Sequence, residues 1–292
     1  MKEIVIVSGK GGTGKTSLTA SFAVLGGADV VVADCDVDAA DMHLLLEPDF
    51  ANEEAFFSGE LAVIDQDLCS GCGRCAEVCR YDAIRVDDGT YTVEDLSCEG
   101  CGYCARVCPD DAITNVEQNV GNWYLSRIRT GTSMVHARLG IGADNSGKLV
   151  AKVKNEARRV AEQTGKKIVL VDGSPGIGCP VVSSLSGASL AVLVTEPTVS
   201  GLHDLKRVHE LVRKFGIRAG CIINKADLNE SVLRDLRVFL AEEEIVPLAE
   251  IPYDEAFTAA ITNGKTIVEW DPSLKIRIGE CWTAINELVS EN

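Results

Sequence analysis

The sequence predicts an α/β protein, a mostly parallel, doubly wound sheet interrupted by a small inserted α+β domain. Three observations predict it. Short β-branched runs alternate with amphipathic helical stretches, and each run feeds a glycine-rich or polar loop at its carboxyl end, the edge at which parallel α/β sheets hold ligands. The first of these loops, Gly9 to Thr16, reads GKGGTGKT between a strand and a helix. Eight of the 12 cysteines lie between residues 69 and 108, in a motif that repeats at an offset of 29 positions.

Composition narrows the class of protein. With 292 residues, 46% hydrophobic and 25% charged, the chain has the makeup of a globular protein with a sizeable core. No apolar run reaches the roughly 18 residues of a membrane span, and Met1 leads directly into the first strand without a signal-peptide pattern. A cytoplasmic protein with no membrane insertion is expected. A formal charge of −16 opposes a general basic surface for nucleic acid, and none is expected as a partner.

Taken in order, Glu3 to Val7 is the first strand. Gly9, Gly14, Lys15 and Thr16 fit GxxxxGK[ST], the P-loop, in which backbone amides wrap phosphate oxygens and a lysine adds a point charge. Gly11, Gly12, Thr13 and Ser17 complete that phosphate cradle. The helix from Lys15 carries Leu18, Phe22 and Leu25 at helical spacing until Gly26-Gly27, so its amides and positive dipole end face the anion. A turn that merely joined strand to helix would not need Lys-Thr after its last glycine. Ala28 to Ala33 is the second strand, ending at Asp34-Cys35-Asp36-Val37-Asp38, and a helix follows through Met42 and Leu44 to Leu46. Pro48 and Asn52-Glu53-Glu54 mark a boundary.

The composition then changes. Cys69, Cys72, Cys75 and Cys79 are spaced CxxCxxCxxxC, Cys98, Cys101, Cys104 and Cys108 repeat the spacing, and Asp82-Ala83-Ile84 recurs as Asp111-Ala112-Ile113. This is the run of bacterial ferredoxins, in which three cysteines bind one [4Fe-4S] cluster and the fourth ligates the other. The first cluster is therefore assigned Cys69, Cys72, Cys75 and Cys108, and the second Cys98, Cys101, Cys104 and Cys79. Structural zinc prefers cysteines in two separated pairs, a poorer match to two compact runs of four. Arg80 stands where the first run would carry proline; Pro109 follows the second. Residues 61–116 hold 11 Asp and Glu against 4 Arg, a net −7, which suits docking on basic partners. The expected domains are 1–60 and 117–292, two parts of one nucleotide-binding domain, with 61–116 the inserted ferredoxin domain.

Beyond the insert, Gly131 separates two runs between Trp123 and Leu139 that read as strands. Ser146 to Thr164 reads as a helix with Leu149, Val153, Ala157, Val160 and Ala161 on one face. Ile168 to Val171, Leu190 to Val194 and Cys221 to Ile223 are strands that end at Asp172, at Thr195-Glu196-Pro197 and at Asn224-Lys225. Helices are expected at Leu202 to Phe215 and Ser231 to Glu244. The last stretch places Leu274, Ile278, Cys281, Trp282, Ile285, Leu288 and Val289 on one helical face. Its polar face is acidic, which favours packing over a membrane surface.

Lys10-Gly11-Gly12-Thr13-Gly14-Lys15-Thr16 resembles the deviant P-loop KGGxGKT of the MinD/ParA/Mrp-type ATPases. That resemblance implies ATP and Mg²⁺ as ligands, a homodimer that sandwiches nucleotide, and Lys10 as a signature lysine reaching the partner copy's phosphates. Phosphoryl transfer needs a metal held by a hydroxyl and a carboxylate, and a group that orients water. Thr16 and Asp172 answer the first need. Asp172 looks like a Walker B aspartate, with Gly173-Ser174-Pro175-Gly176 as a switch loop whose Gly176 amide senses the γ-phosphate. Asp34-Cys35-Asp36 is similar to the family's switch I, with Asp36 orienting water and Asp38 and Asp41 as alternatives in the same loop. Asn224-Lys225-Ala226-Asp227 looks like the adenine-contacting segment, since an amide offers one donor and one acceptor. The same residues spell NKxD, which reads guanine in other P-loop proteins. Ile251-Pro252-Tyr253-Asp254 supplies a candidate second wall, with Pro252 against the base.

Taken together, the motifs resemble a subgroup of the MinD superfamily with an inserted ferredoxin domain, as do Asn145-Ser146-Gly147-Lys148, Asp172 to Pro180 and Thr195 to Leu202. Cys35 and Cys179 belong to no CxxC pair; they are either free thiols or ligands of a cluster shared across a dimer. The four histidines are scattered. The resemblance implies an ATPase that couples dimer rearrangement to electron transfer, with a redox partner protein. Two other expectations are a carrier that delivers clusters to apo-protein clients and a MinD/ParA-like localisation switch.

Overall fold

A computed structural model describes residues 1–140, 142 and 146–291. Asn145, first of the four residues Asn145-Ser146-Gly147-Lys148 singled out above, lies outside them. The chain divides into two compact units, one of residues 1–54, 123–138 and 146–292, the other of residues 55–122 and 139–145.

The larger unit begins with β1 (Lys2–Val7), the P-loop and α1 (Lys15–Gly26), then β2 (Val30–Asp34) and α2 (Met42–Leu46). The next strand, β3 (Asn52–Ile64), starts where the sequence reading placed only an acidic boundary. In the smaller unit come α3 (Arg74–Val78), β4 (Ile84–Asp87), β5 (Thr90–Val93) and α4 (Tyr103–Val107). The chain continues through β6 (Ile113–Arg127) and β7 (Ser133–Leu139), the two expected strands around Gly131, with β6 far longer than its apolar run. Then follow α5 (Ser146–Thr164), β8 (Ile168–Asp172), α6 (Cys179–Leu185), β9 (Leu190–Thr195), α7 (Val199–Lys214), β10 (Ala219–Asn224), α8 (Glu230–Glu242), β11 (Val246–Ile251), α9 (Ala256–Thr262), α10 (Ile267–Trp270) and α11 (Pro272–Ser290).

The main sheet runs β11-β10-β9-β1-β8-β2-β7-β6-β3, and every pair from β11 to β7 is parallel. Its central strands are buried along nearly their whole length, which is why β1, β2, β8, β9 and β10 read as mostly apolar runs. Phe22 of α1 stacks on Trp282 of α11, so the last helix closes one face of the core as its apolar stripe required. On α5, Lys154 is buried against Glu3 of β1 at 2.6 Å and donates to the carbonyls of Ser183 and Ser186. No helix of the described residues is long and apolar enough to cross a membrane.

The smaller unit repeats itself in three dimensions. Gly73 and Gly102 precede α3 and α4 with φ of 79° and 69°, and Asp82 and Asp111 both adopt left-handed backbone at 50° and 51°. One small buried apolar cluster there joins Ala62, Ile64, Cys75 and Ile113, with Ile84, Tyr91, Val93 and more cysteines partly buried against it.

Candidate functional site

Parallel pairing aligns the ends of β1, β2, β8, β9 and β10, and the loops that leave them build one site. The P-loop turns through Gly12 and Gly14 with φ of 80° and 89°, backbone that suits glycine, and Gly14 is the cap from which α1 starts. A side chain at Gly14 would also strike the Asn224 amide. Gly9 does different work: it lets the backbone of Asp204 on α7 approach the loop.

Beside the loop is a cavity of about 490 Å³. Its lining combines the P-loop residues Gly11 to Ser17 and Asp36 with the apolar side chains Leu44, Pro252, Tyr253, Phe257 and Ile261. Such a cavity fits a ligand with an anionic end and a flat apolar end. Thr13 Oγ1, buried within it, has no hydrogen-bond partner among the described residues, an orphan donor in the P-loop.

Lys15 is the buried cation of that loop. Its Nζ lies 3.0 Å from Asp172 Oδ2 and 3.4 Å from Asp36 Oδ2. Burial alone would lower its pKa, but the carboxylates of Asp172, Asp36 and Asp34 outweigh burial and raise it. Thr16 Oγ1 donates to Asp172 Oδ2 at 2.8 Å, and Thr19 Oγ1 donates to Asp172 Oδ1 at 2.8 Å, so both oxygens of that carboxylate are held. Asp34, level with Asp172 on the neighbouring strand, is pushed well above the usual carboxylate range by burial and by Asp172. Three carboxylates thus surround one lysine, a site with negative charge to spare. The hydroxyl of Thr16 and the carboxylates of Asp172 and Asp36 are hard oxygen donors that fit Mg²⁺.

Of the three acids at positions 36, 38 and 41, Asp36 is buried and reaches Lys15, and burial raises its pKa. Asp41 lines the cavity, whereas Asp38 is exposed and does not. The Gly176 amide donates to Ser8 O at 2.9 Å and would have to leave that bond to meet a phosphate. Pro175 lines the cavity in its place.

Against the P-loop itself, Asn224 Nδ2 donates to Thr13 O at 2.8 Å, and Lys225, in left-handed backbone at φ 53°, donates to Gly12 O at 2.9 Å. Asp227 accepts the Tyr253 amide at 2.6 Å, is exposed, and does not line the cavity. The NKxD residues therefore brace the P-loop and the Pro252-Tyr253 wall. Lys10 is absent from the cavity lining as well; its Nζ lies 2.7 Å from Glu196 Oε1. The sequence assigns no role to Thr19 or Glu196, and includes Asp34 and Lys225 only as members of the switch I and adenine-contacting motifs. Thr19, one turn beyond Thr16 on the same helix face, was the one that spacing could have found.

The smaller unit has two further cavities. One is lined by Cys69, Cys72, Cys75 and Cys108, together with Ile64, Tyr91 and Ile113. The other is lined by Cys79, Cys98, Cys101 and Cys104, together with Val78, Ala83 and Val93. Four thiols at each cavity match the donor set of an iron–sulfur cluster, although Arg74 and Asp110 also line the first cavity and Glu99 the second, and Cys72 and Cys101 are exposed. Among the described residues no three His, Cys, Asp or Glu side chains converge as ligands of a single metal ion. Cys35 is buried and Cys179 exposed, both as free thiols.

Comparison with known proteins places these observations. A profile of the CobQ/CobB/MinD/ParA nucleotide binding domain matches residues 4–267. The uncharacterized protein MJ0578 of Methanocaldococcus jannaschii is 30% identical over 289 residues, covering 98% of this chain and 97% of the relative. The chloroplastic septum site-determining protein minD homolog of Arabidopsis thaliana is 25% identical, over 91% of this chain and 68% of the relative. Among solved structures, MinD of Pyrococcus horikoshii complexed with Mg-ADP superposes with a TM-score of 0.60 at 22% identity, covering 98% of this chain and 96% of that one. At that identity the likeness is one of fold.

Proposed function

The chain belongs to the CobQ/CobB/MinD/ParA nucleotide-binding family, and within it we propose an Mg²⁺-dependent ATPase whose cysteine-rich unit carries two [4Fe-4S] clusters and transfers electrons. The observation that carries the redox half is the sorting of eight cysteines around two cavities, with Cys108 beside the first three and Cys79 beside the last three. Local binding would have kept each sequential run to itself. The crossed pattern is that of a duplicated ferredoxin motif.

In this reading Lys15 and the P-loop amides bind the β- and γ-phosphates, and Thr13 Oγ1 gains the partner it lacks. Thr16 and Asp172 hold Mg²⁺, which when bound neutralises charge developing on the phosphates. Asp36 orients the attacking water. Asn224 and Pro252 flank the base, and adenine is preferred to guanine because Asp227, the residue that would read guanine, is bonded to the Tyr253 amide outside the cavity. Lys10 serves the phosphates of a second copy in a homodimer. Cys69, Cys72, Cys75 and Cys108 would hold one cluster, and Cys98, Cys101, Cys104 and Cys79 the other; each cluster supplies a one-electron carrier. The partner is a redox protein with a basic docking face, complementary to the acidic insert.

A localisation switch is the second reading, favoured by likeness to septum site-determining proteins. Cluster delivery to apo-proteins is the third. Anaerobic purification, iron analysis and EPR of the reduced protein with and without ATP separate them. Two reducible clusters whose potential shifts with ATP support electron transfer, clusters that move to an apo-acceptor support the carrier, and a protein that binds ATP without iron leaves the switch.

A further inference from the structure

One carboxylate holds two lysines at once, Lys10 of the P-loop and Lys225 just after β10. Glu196, in the turn between β9 and α7, places Oε1 2.7 Å from Lys10 Nζ and Oε2 2.8 Å from Lys225 Nζ. Lys10 also donates to Thr198 Oγ1 at 3.2 Å and to Ser200 Oγ at 3.0 Å, while Lys225 continues to Gly12 O. Burial pushes the Glu196 carboxyl pKa up, but its two lysine partners outweigh that and leave it below the usual range. The arrangement is local to this chain's own loops, and it turns the Lys10 ammonium away from the cavity that Lys15 lines.

We infer that Glu196 is a positioning residue that holds Lys10 in cis, so that Lys10 must leave Glu196 before it can serve a second copy of this chain. The inference rests on the nucleotide-dependent pairing proposed above. Nucleotide is suited to drive the release. A triphosphate at the P-loop is an anion that competes with Glu196 for Lys10 and repels its carboxylate. Only a ligand that distinguishes the held from the released state can shift that balance. Lys225 keeps Glu196 from being left with no cation when Lys10 departs, which lowers the cost of release.

Two measurements on the full chain test this. In nucleotide-free protein, reductive methylation of lysine amines followed by peptide mass spectrometry reads how freely Lys10 moves. Glu196→Gln should raise Lys10 labelling about three- to tenfold, the range expected for losing a partly exposed charge-assisted bond. With a non-hydrolysable ATP analogue, sedimentation should show the midpoint of self-association falling by a similar factor, and Lys10→Ala should cancel that shift in the double variant. Turnover per protomer should rise at limiting protein concentration and stay level at high concentration. Should the Gln variant fold poorly, Glu196→Asp, one methylene shorter and able to span only one lysine, should move in the same direction. Unchanged Lys10 labelling overturns the hold. Raised labelling with an unchanged midpoint overturns its link to pairing, and weaker association with a raised KM for ATP marks Glu196 as structural only. If the wild type fails to bind the analogue, the ATPase reading falls, while the labelling result still decides whether Glu196 restrains Lys10.

Discussion

The two units solve the problem of holding a ligand in opposite ways. In the larger unit a continuous core from Ile4 through Phe22 and Leu170 to Ile285 stands beneath the site, and the site's charges are paired with one another: Lys15 with Asp36 and Asp172, Glu196 with Lys10 and Lys225. In the smaller unit most of the cysteines proposed as ligands belong to the core: Cys75 is buried and Cys69, Cys98, Cys104 and Cys108 pack, partly buried, against its cluster, while Cys72 and Cys101 are exposed. The difference teaches which fold can exist without its ligand. A nucleotide lies on the rim of a finished sheet. Clusters in the smaller unit would complete a core too small to rely on apolar burial alone, so their binding energy would be folding energy.

The largest expected effect lies in the smaller unit. Cys79→Ala and Cys108→Ala should each cost roughly half the iron and the fold of residues 61–116, because each removes a ligand that ties one half of the repeat to the other. Hydrogen exchange should show protection lost there and kept in β1, β8 and β9, with nucleotide still bound. EPR of the reduced proteins should group Cys79→Ala with Cys104→Ala, and Cys108→Ala with Cys75→Ala. Loss of protection in both units at once would break the contrast, and grouping within each sequential run would remove the ferredoxin assignment.

In the larger unit, Lys15→Ala should abolish binding in practice, weakening ATP affinity about a hundredfold or more by removing the charge on the phosphates. It should also destabilise that unit by about 3–5 kcal/mol, because Asp36 and Asp172 lose the cation that compensates them. Calorimetric titration and denaturant melts check the two effects. A variant that hydrolyses ATP at the wild-type rate would end the P-loop assignment.

These contrasts also explain what the sequence made legible. Strands β1, β8, β9 and β10 are buried on both faces, so apart from the buried Glu3 and the polar residues at their ends their residues had to be apolar and could be read without neighbours. Strand β3 buries only Ser58, Ala62 and Ile64 of its 13 residues, and its pairing rather than its side chains makes it a strand. Strand β11 lies at the sheet edge with Pro247, beside a register shift at Cys221 and Ile222, and it too escaped the pattern. In the site, Lys15, Thr16 and Asp172 announce themselves because phosphate chemistry fixes their type and spacing. Glu196 could not, since its partner Lys10 lies 186 positions away and any acid in that turn would have looked the same.

The smallest effect should come from Asp227, and it tests how far the larger unit's site is rim rather than foundation. Asp227 is exposed, and its one bond to the cavity wall is the Tyr253 amide at 2.6 Å. Asp227→Ala leaves that amide near solvent, where water can replace the carboxylate, so the fold should hold and melting should barely move. The wall behind the base should loosen, raising KM for ATP by roughly threefold to tenfold while kcat stays level, since Asp227 touches neither phosphate nor water. A guanine-reading role makes the opposite demand. There, the substitution would cost the wild type a strong preference for GTP, because a carboxylate facing two guanine donors loses both at once. Competition between ATP and GTP on both proteins therefore decides what this acid does: a wild type that prefers ATP and a variant that merely binds it less tightly identify Asp227 as a brace.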